Sequence, residues 1–249
     1  MRRPHTVDVG WLDEARDPIL AYIDPYVRAL VAGGAAPELI ATGVLARHRG
    51  RPVLLSAKHV LDGLEGRPLL LELPDRFEPV PLSADRVALS TDADAAVVVL
   101  PPAALAWNLS FVDLESQGGT PAPRRAGEAY VAMGFPWRES SIDRARGKLD
   151  LTSVSSWGVE DDRAYQLLGL RREDFVVTSF DQKNCYRDGV RRQMKRPHGM
   201  SGGGLWRLTA EKIELAGILT RYEEARTKSA VSARISVLQA LASELTREG

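Results

Sequence analysis

His198-Gly199-Met200-Ser201-Gly202-Gly203-Gly204 is the stretch on which the fold turns. Its Gly-x-Ser-x-Gly pattern presents a serine hydroxyl on a backbone free to turn sharply, and it occurs in more than one class of hydrolase. Chain order separates those classes. No histidine and no aspartate follows Ser201, and the histidines are His5, His48, His59 and His198. A strand-to-helix nucleophile elbow needs its histidine after the serine, so that fold is excluded. An order of base, then acid, then nucleophile stays open.

Upstream of Ser201 the partners can be named. Val53-Leu54-Leu55-Ser56-Ala57 reads as a strand, followed at once by Lys58-His59-Val60-Leu61. Ala41-Thr42-Gly43-Val44-Leu45 precedes it as a hairpin partner, and Asp92-Ala93-Asp94 leads into the apolar run Ala95–Leu100. Further strands are read at Ala129–Pro136 and Leu215–Leu219. In this order, from about residue 38 to about residue 235, the five segments resemble the chymotrypsin/trypsin-like serine peptidases. The His59 segment is similar to that family's Thr-Ala-Ala-His, Ala41–Leu45 to its Gly-Thr-Gly-Phe strand, and Asp94 with its run to the signature around the family's aspartate. The form resembled is a bacterial, intracellular type without disulfides.

The resemblance implies an all-β fold of two antiparallel six-stranded barrels. Around them the sequence suggests a helical extension over 1–35, a first barrel over 36–115, a linker over 116–125, a second barrel over 126–234 and a terminal helix over 235–249. The extension is read from Ile19, Leu20, Ile23, Val27, Leu30 and Val31 at helical spacing. Asp17-Pro18 serves as its start and Gly33-Gly34 as its end. Glu160–Leu168 looks helical, and Asp181–Pro197 is long and polar without period. The linker is marked by Gly118-Gly119-Thr120-Pro121.

A serine hydroxyl is a weak nucleophile at neutral pH and needs a base in hydrogen-bond reach. The resemblance assigns that role to His59, with Asp94 to orient the imidazole and Asp92 as the alternative acid. Gly199 and Ser201 would supply oxyanion-hole N–H groups. Lys195 at the pocket floor, His198 at its rim, and Thr220, Arg221 and Tyr222 along a strand edge would meet substrate. Tyr222 stands where the family carries a pocket-wall glycine, so it would narrow or close the pocket. Six bases against two acids between Asp181 and Arg196 suggest an acidic or small polar residue before the scissile bond. Met200 occupies the place of the aspartate that pairs with a newly cut N-terminus in animal members, so activation of that kind is not supported.

Read singly, these residues have plainer accounts. Ser201 fits a glycine-rich turn, His59 a core histidine at a helix start, Asp94 a turn residue, His48 a hairpin tip and Cys185 a surface thiol.

Composition narrows the function classes. The 249 residues carry 33 basic and 33 acidic side chains, a net charge of zero that offers no general attraction to nucleic acid. One cysteine excludes an intrachain disulfide. No cluster has metal-ligand spacing and no phosphate loop is present, so neither metal nor cofactor is expected. No secretory signal is visible, and Ala95–Trp107 is too short to span a membrane, so a cytoplasmic protein is expected. The reading is a serine endopeptidase acting on protein or peptide substrates, with a regulatory partner as an option. By family analogy it would be a conditional effector. The alternatives are a catalytically silent peptide-binding or scaffold module and a serine esterase on the same fold.

Overall fold

Val44 and Leu45 are neighbours on one strand, both fully buried, and belong to different cores. Successive strand side chains point to opposite faces, so a strand buried on both faces reads as an unbroken apolar run. Val97 and Val98 divide in the same way. The computed structural model of the chain describes residues 10–35, 37–118, 128–137, 140–143, 148–150, 152–187, 190–194, 197–209 and 211–246.

Helix α1 (Gly10–Ile23) leads through a 3-10 turn, Asp24–Tyr26, into β1 (Val27–Ala32). The first sheet continues with β2 (Glu38–His48), β3 (Arg51–Ala57), β4 (Leu69–Glu72), β5 (Phe77–Pro79), β6 (Val87–Ser90), β7 (Ala95–Val99) and β8 (Val112–Asp113). Helix α2 (Lys58–Asp62) interrupts it after β3. The strand order is β5-β4-β1-β2-β3-β7-β6, with β8 lying parallel to β2.

The second sheet contains β9 (Ala129–Gly134), β12 (Val154–Gly158), β13 (Phe175–Ser179), β14 (Cys185–Arg187), β15 (Val190–Arg192), β16 (Gly204–Leu208), β17 (Ile213–Glu223) and β18 (Ser229–Arg234). A separate hairpin pairs β10 (Ser141–Asp143) with β11 (Lys148–Asp150). A bridge between Glu160 and Thr178 brings the ends of the run from β13 to β12 together and closes the barrel. Helix α3 (Asp162–Leu168) starts on Asp161, whose carboxylate accepts from Ala164 N, and stops at Gly169 in the left-handed region. Helix α4 (Ile235–Thr246) packs its buried Leu238, Leu241 and Ala242 into the core shared by both barrels.

The fold class agrees with the sequence reading, with three corrections. Among the described residues each of the two large sheets has eight strands, not six, and β8 is parallel. The extra strands are short ones: two-residue β8 and the three-residue edge strand β5 in the first sheet, and the β14–β15 hairpin at an edge of the second. The helix expected to run to Ala32 ends at Ile23, because Asp24-Pro25 breaks it and Val27–Ala32 becomes a central strand. Pro18 lies inside α1 and not at its start. Most of the expected linker falls outside the described residues.

Candidate active site

The C-terminal end of β3 meets the partner that fixes His59. The strand runs into α2 at Lys58, whose N–H donates to Asp94 O at 3.1 Å. Asp94 itself ends the turn before β7 with φ at +52°, a conformation that aspartate tolerates better than most residues. Its carboxylate then serves two donors. Oδ1 accepts His59 N–H at 3.0 Å, and Oδ2 lies 2.7 Å from His59 Nδ1. The imidazole is thus fixed from backbone and ring, with its other nitrogen left facing outward. Asp92 is exposed and makes no such contact, so Asp94 is the carboxylate that faces His59.

The serine loop is built on two glycines. Gly199, with φ at +95°, is the third residue of a type II turn closed by Met200 N–H to Pro197 O at 3.0 Å. Trp137 N–H donates to His198 O at 3.0 Å. In a trans peptide the C=O and N–H point opposite ways, so this bond turns Gly199 N–H away from Trp137. Neither Gly199 N–H nor Ser201 N–H donates to an acceptor among the described residues. Gly202, with φ at +82°, is pressed against the first barrel: a Cβ there would sit 2.1 Å from Thr42 O.

Thr42 joins the two halves. It is fully buried on β2, and its N–H donates to Ser201 O at 2.9 Å. Its hydroxyl donates to Gly199 O at 2.7 Å and accepts from Phe135 N–H at 2.8 Å. Its carbonyl accepts from Ser56 Oγ at 3.1 Å, three residues before His59. In the sequence Thr42 is marked only as a hydroxyl within the otherwise apolar run Leu39–Ala46. No hydrogen bond joins Ser201 Oγ to the His59 ring among the described residues.

A cavity of about 350 Å³ opens beside Ser201, lined by Pro197, His198, Met200, Leu219, Tyr222 and Ala230 among others. It is open, not closed, because the Tyr222 ring tilts onto Phe180 at 5.1 Å between centroids. Burial, reinforced by Glu224, pushes the Tyr222 phenol above its ordinary value and keeps it neutral. His198 and Arg221 line the mouth, exposed. Thr220 is buried and donates to Val231 O at 3.1 Å. β16 pairs with β17 only as far as Ile218, and the serine loop extends the pairing by one residue, with Leu219 N–H donating to Gly203 O at 2.8 Å and Leu219 O accepting from Gly202 N–H at 2.7 Å. Beyond it, Arg221–Glu223 pairs with β18 alone among the described residues. Lys195 lies outside the described residues. The described bases of the polar stretch, Lys183, Arg187, Arg191 and Arg192, sit on a 3-10 turn and the β14–β15 hairpin, and none lines the cavity. Cys185 is buried, not at the surface, because β14 presses it into the second core.

His48 forms a second serine–histidine–acid string, with Nε2 3.1 Å from Ser243 Oγ and Nδ1 2.6 Å from Glu115 Oε1. The Ser243 proton is already committed to Gln239 O at 2.8 Å, within α4. A hydroxyl has one proton to give, so this string anchors the helix to the hairpin tip.

No protein-family model matches the sequence, and no curated protein is similar to it. Solved structures are. The serine endoprotease from Yersinia pestis superposes with a TM-score of 0.57 at 17% identity, over 100% of this chain and 69% of that one. The active form of the Rv3671c protease from M. tuberculosis gives 0.52 at 14% identity, over 99% and 92%. An inactive serine-to-alanine mutant of that protein, from strain H37Rv, gives 0.52 at 12%, over 99% and 98%. The chain has the two-barrel fold of the chymotrypsin/trypsin-like serine peptidases. No described helix is long and apolar enough to cross a membrane.

Proposed function

We propose that the chain is a serine endopeptidase in which Ser201 is the nucleophile, His59 the base and Asp94 the group that orients the imidazole. The observation that carries this is the 2.7 Å pair of His59 and Asp94 on the same strands to which Thr42 ties the serine loop. Ser201 Oγ attacks the scissile carbonyl as its proton passes to His59 Nε2. The carbonyl oxygen gains its negative charge between the N–H groups of Gly199 and Ser201. His59 returns the proton to the leaving amine, and water then hydrolyses the acyl-enzyme by the same relay. An extended substrate segment pairs with the edge at Thr220–Tyr222, where main-chain bonds hold it without demanding one sequence.

A second reading is a peptide-binding relative that does not hydrolyse. One observation favours it: Ser201 Oγ lacks a hydrogen bond to His59. Labelling with a fluorophosphonate decides between the two. The endopeptidase reading expects covalent label on the parent chain and on Ser243→Ala, and none on Ser201→Ala or His59→Ala. An unlabelled parent chain would establish the second reading.

A further inference from the structure

We infer that the cavity beside Ser201 selects an aliphatic side chain of leucine or methionine size on the residue before the scissile bond. The inference rests on the endopeptidase reading for which residue enters, and on the lining for what that residue is. Phe180, Met200, Leu219 and Ala230 form the inner surface, each 2–5% exposed. The charged residues of the described lining, Arg221 and Glu224, are both exposed at the mouth and opposite in sign. His198 is likewise exposed at the mouth, and Tyr222 in the wall is kept neutral. A lysine or glutamate side chain entering this cavity would lose water and gain no buried partner among the described residues, a penalty of several kcal/mol. An aliphatic one would gain from every methylene it buries.

The wall sets the size. Phe180 and Tyr222 meet with their rings at 53°, and a second cavity of about 520 Å³ lies on the far side of the same two residues. The ring pair is therefore a partition between two spaces. On this inference the pair limits the reach of the first cavity and so favours a flexible aliphatic chain over a planar ring, and removing Tyr222 should merge the spaces.

The test reads binding, not turnover. Ser201→Ala protein is titrated with acetyl-Ala-Ala-X peptides ending in a free carboxylate, where X is Leu, Met, Phe, Lys, Glu or Gly. Single methylene groups discriminate roughly 10–200-fold in apolar pockets. Leu and Met are expected to bind at least about tenfold tighter than Lys, Glu and Gly, and tighter than Phe. In Ser201→Ala combined with Tyr222→Gly, Phe is expected to rise to the level of Leu. Tightest binding of Lys, Glu or Phe to the parent cavity overturns the inference, as does equal or absent binding of all six. None of those outcomes touches the endopeptidase reading, which stands or falls on fluorophosphonate labelling.

Discussion

The hydroxyl of Thr42, in the first barrel, donates to the carbonyl of Gly199, 157 residues away in the second. The same hydroxyl accepts from Phe135 N–H, and the Thr42 N–H holds Ser201 O. The loop that carries the serine is therefore held in shape by one buried side chain of the opposite barrel. Met200, in the same loop, is apolar and buried.

Replacing Thr42 by Val leaves Gly199 O and Phe135 N–H buried without their partner. Each such group costs about 1–3 kcal/mol. Thr42→Val should slow fluorophosphonate labelling of Ser201 by at least about tenfold, while Thr42→Ser restores it. Amide exchange at Phe135 and Gly202 should quicken in Thr42→Val only. Unchanged labelling would show that Thr42 is a packing residue and no more.

Asp94 and Asp92 are two residues apart and differ in what they touch. Asp94→Asn preserves the shape but not the charge facing His59 Nδ1, and a roughly 10⁴-fold fall in turnover is expected. Asp92→Asn should change turnover less than twofold. Peptide hydrolysis by both variants checks this, and equal losses would contradict the geometry.

Gly202 and Gly50 both have positive φ, at +82° and +76°. A Cβ at Gly202 meets Thr42 O at 2.1 Å and Ser56 Oγ at 2.3 Å, whereas at Gly50 it meets nothing within 4 Å. Gly50→Ala should cost about 1 kcal/mol, the backbone penalty alone. Gly202→Ala should cost about 4 kcal/mol or more and open the seam between the barrels. Denaturant melts of the two variants give the comparison.

Glu214 is buried on β17, with Oε2 2.6 Å from Arg207 Nη2 and Oε1 2.5 Å from Lys212 Nζ. Burial pushes its carboxyl up, but Arg207 and Lys212 outweigh burial and hold it below its ordinary value of 4.5. A depressed folded value means stability that is complete above pH 4.5 and is lost as pH falls through the folded value. Glu214→Gln should lower stability by about 2 kcal/mol at neutral pH and flatten this acid limb. Thermal melts from pH 7 downward read both effects.

Much of this was legible in the sequence because strands buried on both faces leave unbroken apolar runs. Val53–Ala57 and Ala95–Leu100 announce themselves in this way, and His59 and Asp94 sit at their ends. β1 was illegible for the same reason. Val27, Leu30 and Val31 continue the spacing of Ile19 and Ile23, and a fully buried strand has no alternation to contradict a helix. Thr42 was read as one more strand residue, since its partners lie far along the chain. The cavity lining draws on β17, β18 and the segment after β13, so Phe180 and Ala230 carry no local mark of the space they share.

The seam at Thr42 also has a consequence for how the chain is made. A ribosome releases Thr42, His59 and Asp94 first, and Gly199, 105 positions after Asp94, follows roughly 5–20 s later. Until it does, the first barrel holds half of a site and has nothing to close it against. On the proposed reading, each new molecule remains harmless to its neighbours throughout synthesis and gains its chemistry only when the late half docks on the early one.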